Sequence, residues 1–70
     1  MADTQKLDDL INSYWGLLDD VKKLVAKMSR EPNPEIRYEL NRSLRKLDAE
    51  GAELQAQIQD EVDRLWKENP

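Results

Sequence analysis

The chain has no cysteine and no histidine among its 70 residues. Disulfides are therefore excluded, and so are the usual zinc sites. The most common general acid–base group and the thiol nucleophile are missing too. Ser13, Ser29 and Ser43 have no obvious base partner, and there is no glycine-rich phosphate loop. Carboxylates do occur side by side, at Asp8-Asp9, Asp19-Asp20 and Asp60-Glu61. Neighbours on a helix point about 100° apart and rarely chelate one ion, and no calcium-loop pattern is present. These pairs read as a solvated acidic face. The expectation is a non-enzymatic protein with no catalytic residue, no metal ligand and no cofactor.

Glycine and proline are scarce, at two and three residues, while charged residues make up 37%. That balance favours a helical protein. No apolar run is long enough for a membrane span, and the polar start from Met1 to Lys6 carries no signal-peptide pattern. The lack of cysteine fits the cytoplasm, which is the expected location. A single domain of this size buries only about 60% of the surface its unfolded chain exposes. With disulfides and zinc excluded, association is the remaining common way to add stability.

What the chain does have is a regular apolar stripe. Leu7, Leu10, Ile11, Tyr14, Leu17, Leu18, Val21, Leu24, Val25 and Met28 repeat with three apolar positions per heptad. This predicts a first helix over about residues 4–29, with Asp3 or Thr4 as its cap. Pro32 pushes Glu31 out of helical conformation. Asn33 then suits the next N-cap, and Pro34 the first helical position. Residues 30–33 thus form a turn, and a second helix is expected over about 34–67. There Leu40, Leu44, Leu47, Gly51, Leu54 and Ile58 follow the four-three spacing of a coiled-coil seam. Past Ile58 the register is expected to slip, with Val62, Leu65 and Trp66 continuing the stripe and Glu61 in the seam position.

The fold class is accordingly all-α: an antiparallel two-helix hairpin in one domain, 1–70, pairing as a homodimer into a four-helix bundle. Two mismatches support the pairing. The first stripe is wider than the second can cover. The second helix is also the longer one, leaving Val62, Leu65 and Trp66 without partners. Counting back from a turn near residue 32 places Gly51 opposite Tyr14, Leu54 opposite Leu10 and Ile58 opposite Leu7. Gly51 and Gly16 then read as close-packing positions. A break at Gly51 would instead make a three-helix bundle, but its surroundings tolerate a helix and continuity is preferred.

Function is expected to lie in protein–protein interaction through apolar helix faces, as in an adaptor, inhibitor, small chaperone or regulator. The expected partners are a second copy and a different protein. Trp15, Val62, Leu65 and Trp66 are the candidate interface residues, tryptophan being enriched in binding hot spots. The charge distribution supports an alternative. Residues 22–46 carry eight bases against three acids, while both flanks are acidic. Lys27, Arg30, Arg37, Arg42, Arg45 and Lys46 are candidate contacts for an anion or nucleic acid at the hairpin tip. Charge balance explains the same cluster: acidic ends can meet basic tips in an antiparallel dimer. The net charge of −4 and a single tip aromatic, Tyr38, weigh against nucleic acid. A membrane-surface helix is disfavoured because the polar face of the first helix mixes both signs.

Overall fold

The computed structural model describes residues 4–68. Helix α1 runs from Gln5–Arg30 and helix α2 from Pro34–Glu68. They pack on each other as a hairpin within an envelope of 54 × 15 × 12 Å, with no strand among the described residues. α2 is continuous through Gly51.

The turn between the helices is held by its own side chains. Glu31 is extended, with φ −85° and ψ 116°, as the following proline requires. Its Oε1 accepts the Asn33 N–H at 3.0 Å, and Asn33 Oδ1 accepts the Glu35 N–H at 2.9 Å. The second bond satisfies one of the donors that a helix start leaves open. Thr4 makes no side-chain capping bond, although its carbonyl accepts the Asp8 N–H at 2.9 Å; Asp3 lies outside the described residues.

Both helices carry a continuous four-three seam. In α1 it comprises Leu7, Leu10, Tyr14, Leu17, Val21, Leu24 and Met28 at alternating a and d positions, all at least half-buried. In α2 the half-buried or buried positions are Leu40, Leu44, Leu47, Gly51, Leu54, Ile58, Glu61 and Leu65. This corrects the expected slip. The seam keeps its spacing through Glu61, which is only 4% exposed. Leu65 follows in register, while Val62 and Trp66 lie off the seam and are 43% and 76% exposed.

The pairing of residues also differs from the simple count. The nearest atom to a methyl built on Gly51 would be Leu17 Cδ2 at 3.3 Å, ahead of Tyr14 Cε1 at 3.9 Å. Tyr14 instead accepts a hydrogen bond from Gln55 Nε2, and Lys6 Nζ lies 3.7 Å from Glu61. Contacting residues thus lie a few positions later in the chain than the expected pairs. Helical side chains lean toward their own N-terminus. In an antiparallel pair the two leans oppose each other, so the side chains that meet belong to residues further along each helix than those whose Cα atoms are level. Gly51 therefore does make room for a neighbour. Gly16 does not: nothing lies within 4 Å of a methyl built there.

The hairpin has almost no interior. Leu17 is the only apolar residue in the buried class among the described residues, and no side chain is fully enclosed. The accessible surface is 5688 Å². A folded monomer of this mass exposes about 4,500 Å² by the usual size scaling. The excess of roughly 1,200 Å² exceeds the ≈ 800 Å² that each partner buries in a standard protein interface.

Candidate functional site

Each side of an antiparallel pair is set by which positions flank the seam. On one side lie the e positions, followed by the b positions. In α1 these are Ile11, Leu18 and Val25, then Asp8, Trp15, Lys22 and Ser29; in α2 they are Pro34, Asn41, Asp48, Gln55 and Val62, then Tyr38, Arg45, Ala52, Gln59 and Trp66. The surface grooves bear out this grouping. One is lined by Ile11, Tyr14 and Trp15 from α1 with Gln55, Ile58 and Gln59 from α2. The next is lined by Tyr14, Leu17, Leu18 and Val21 with Leu47, Gly51, Ala52 and Gln55, among others. A third runs along the flank of α1 past Trp15, Leu18 and Val21. The side is apolar along α1 and, in α2, at its far end.

Exposure on this side is high. Trp15 is 65% exposed and Val25 47%, while Ile11 and Leu18 are half-buried. Of the residues singled out as interface candidates, Trp15, Val62 and Trp66 belong to this one side. Leu65 is in the seam, half-buried against the hairpin itself. Sequence reasoning had merged Ile11, Leu18 and Val25 into the single wide stripe. Their four- and three-residue steps through Trp15 and Lys22 were the available signal that α1 carries a second seam.

The opposite side carries the g positions and is polar. In α1 these are Lys6, Ser13, Asp20 and Lys27; in α2 they are Ser43, Glu50, Gln57 and Arg64, with Ile36 near the tip as the apolar exception. Its organised feature is Glu61. The Arg64 Nε donates to Glu61 Oε1 at 2.9 Å, its Nη2 pairs with the same oxygen, and its Nη1 donates to Glu68 at 2.8 Å. Lys6 approaches the other oxygen of Glu61 across the seam. The hydrogen bonds from Arg64 hold the Glu61 carboxyl below its ordinary range, against the opposing effect of burial. The same partners push the Arg64 guanidinium further up. On the outer surface of α1, Asp19 and Lys23 form an ion pair at 3.0 Å, and the hydrogen bond from Lys23 raises its own pKa.

The basic residues near the turn are not gathered on one side. Lys27, Arg30, Arg37, Arg42, Arg45 and Lys46 are all exposed. By helix geometry Lys27 lies on the polar side, Arg37 extends the seam line, Arg45 is on the apolar side, and Arg30, Arg42 and Lys46 point outward. None of the six forms an ion pair among the described residues. They make the whole tip positive rather than building a pocket. Near them Pro34, Tyr38 and Leu40 line a shallow groove, with Tyr38 65% exposed.

Among the described residues no group of acidic side chains is placed to hold a metal, and no helix is long and apolar enough to cross a membrane. The chain matches no protein-family model, no curated protein and no solved structure.

Proposed function

We propose that this chain is a non-enzymatic protein–protein interaction module of the cytoplasm, built to work as a paired hairpin. The observation that carries this reading is the one-sided apolar surface on a molecule with almost no core. Trp15, Val25, Tyr38, Val62 and Trp66 share one side, Ile36 alone of the exposed large apolar side chains among the described residues lies on the other, and Leu17, at 9% exposure, is the only apolar residue the hairpin buries by itself. Contiguous apolar patches of this kind mark association surfaces. A polar opposite side then stays available to a target protein, as an adaptor, inhibitor or small regulator requires.

Light scattering over a dilution series tests this. The expected mass is about 16 kDa, twice the 8.2 kDa chain, because two-fold homodimers are the most common assembly. Trp15→Ala combined with Trp66→Ala raises the dissociation constant by at least about tenfold, as loss of tryptophan anchors does. A fully helical monomer at every concentration would overturn the reading. The alternative, nucleic-acid binding at the basic tip, gains no common face from the geometry. It requires salt-sensitive binding of short RNA or DNA that Arg42→Glu with Arg45→Glu abolishes.

A further inference from the structure

We propose that the surface covering the apolar side is the same side of a second copy, running antiparallel, with α1 on α1 and each basic tip against the other copy's acidic open end. This rests on the paired-hairpin reading and adds its geometry. The excess accessible surface is of the size that one such interface removes, and two further observations choose the arrangement.

The first is the symmetry of the second seam on α1. Ile11 and Val25 lie seven residues to either side of Leu18, with Trp15 three before and Lys22 four after. A two-fold axis through Leu18, perpendicular to the helix, lays this seam on its own copy. Leu18 meets the partner's Leu18, and Ile11 meets the partner's Val25. Trp15 comes near the partner's Lys22, where an ammonium over an indole face is favourable. Self-complementarity of this kind is what an isologous interface needs.

The second is charge. Two hairpins can stack apolar side to apolar side in two ways. With the axis parallel to the helices, both tips lie at one end. Residues 22–46, with eight bases against three acids, then face their own copy, and so do the acidic flanks. With the axis perpendicular, each positive tip lies against a negative open end. Only the second arrangement turns the acidic–basic–acidic pattern into attraction. It also brings the far end of α2, with Val62 and Trp66, to the partner's tip, where Pro34 and Tyr38 line an exposed groove.

The chain has no cysteine, so a single introduced cysteine reports on the dimer without background. Arg30→Cys places a spin label on an exposed outer position of the tip. The antiparallel dimer separates the two labels by about 36 Å along the axis, from 1.5 Å per residue on each side of Leu18. Tips at one end would bring them within about 20 Å, two helix diameters. Leu18→Cys should form a disulfide-linked dimer on mild oxidation. Because that substitution also trims the interface, salt provides an independent readout. Attraction between tip and open end is screened, so the dissociation constant rises severalfold between low and high salt. A dimer by mass with a short label distance, or with association that tightens in salt, overturns this orientation and leaves the paired hairpin standing. A monomer by mass removes both.

Discussion

The two sides of this hairpin are made from the same two helices and the same heptads, yet they solve different problems. On the polar side the g positions are charged or otherwise polar apart from Ile36 near the tip, and the carboxylate that reaches the seam, Glu61, is held by Arg64 and Lys6. That side is satisfied as it stands. On the apolar side the e positions of α1 hold Ile11, Leu18 and Val25, with Trp15 at a b position among polar Asp8, Lys22 and Ser29, and along the middle of α2 the facing e and b positions hold Asn41, Arg45, Asp48, Ala52, Gln55 and Gln59, all polar but Ala52. Those polar side chains do not cover the α1 stripe. What differs between the sides is whether the second helix matches the first, and the mismatch is what the proposed second copy would cover.

Substitutions on the two sides should therefore have very different effects. Ile11→Glu with Leu18→Glu puts four carboxylates into the proposed interface, since each change occurs twice in a dimer. Burying a Leu or Ile side chain contributes about 1.5–3 kcal/mol. Losing it at four sites raises the dissociation constant at least about a hundredfold. Helicity should fall with assembly, because so little apolar surface is buried within one hairpin. Ser13→Glu, on the polar side of the same helix, should change the dissociation constant by less than about threefold. Sedimentation or light scattering with far-UV circular dichroism reads both. Equal losses from the two variants would erase the distinction between the sides.

The polar side has its own test, through pH. Glu61 has a folded pKa below its ordinary value of 4.5. Its contribution to stability is present above that value and is lost as the pH falls through the lower, folded one. Glu61→Leu removes this dependence, and the leucine continues the seam. Lys6 and Arg64 are 74% and 44% exposed, so they regain water when the carboxylate goes. Replacing a buried ion pair with a well-packed apolar side chain is often neutral or stabilising. The variant should therefore melt no lower than the parent at neutral pH and lose less of its melting temperature on acidification. An equal acid-side loss in both proteins would show that Glu61 does not carry it.

Glu61 also shows where the sequence was legible and where it was not. The two packed helices could be read directly from the four-three spacing and from Pro32-Asn33-Pro34, because helical period and proline sterics act locally. A carboxylate at a seam position reads as a register slip when only apolar residues are counted. Its partner Arg64 was visible three residues on, but Lys6 becomes its neighbour only once the hairpin closes. The pairing count missed for a related reason: it aligned Cα atoms, whereas contacts are made by side chains that lean in opposite directions along the two helices. The basic tip is a cluster in sequence but not on one face, since residues such as Arg42, Arg45 and Lys46 fan out around a helix. Val62 and Trp66, expected to lack partners, are exposed, but as positions flanking a seam that continues rather than as an overhang. Leu65 reads as part of the same group only if the seam ends at Ile58, and in the structure it does not.

The smallest contrast lies between the two glycines, and it separates a position that packing uses from one that it does not. Both lie inside helices, where glycine costs about 0.8–1.0 kcal/mol relative to alanine. Gly16 is on the outer surface of α1 with open space around it. Gly16→Ala should therefore recover most of that difference, an increase of about 4–8 °C in melting temperature for a domain of this size. At Gly51 the new methyl meets Leu17 Cδ2 at 3.3 Å, and Leu17 is the most buried apolar side chain among the described residues. Leu17 must shift by a few tenths of an ångström, which uses up part of the gain. Gly51→Ala should raise the melting temperature by less than Gly16→Ala, measured at the same protein concentration. If the order is reversed, the seam at Leu17 is looser than the contact distance implies, and the close approach of α1 to α2 does not depend on Gly51.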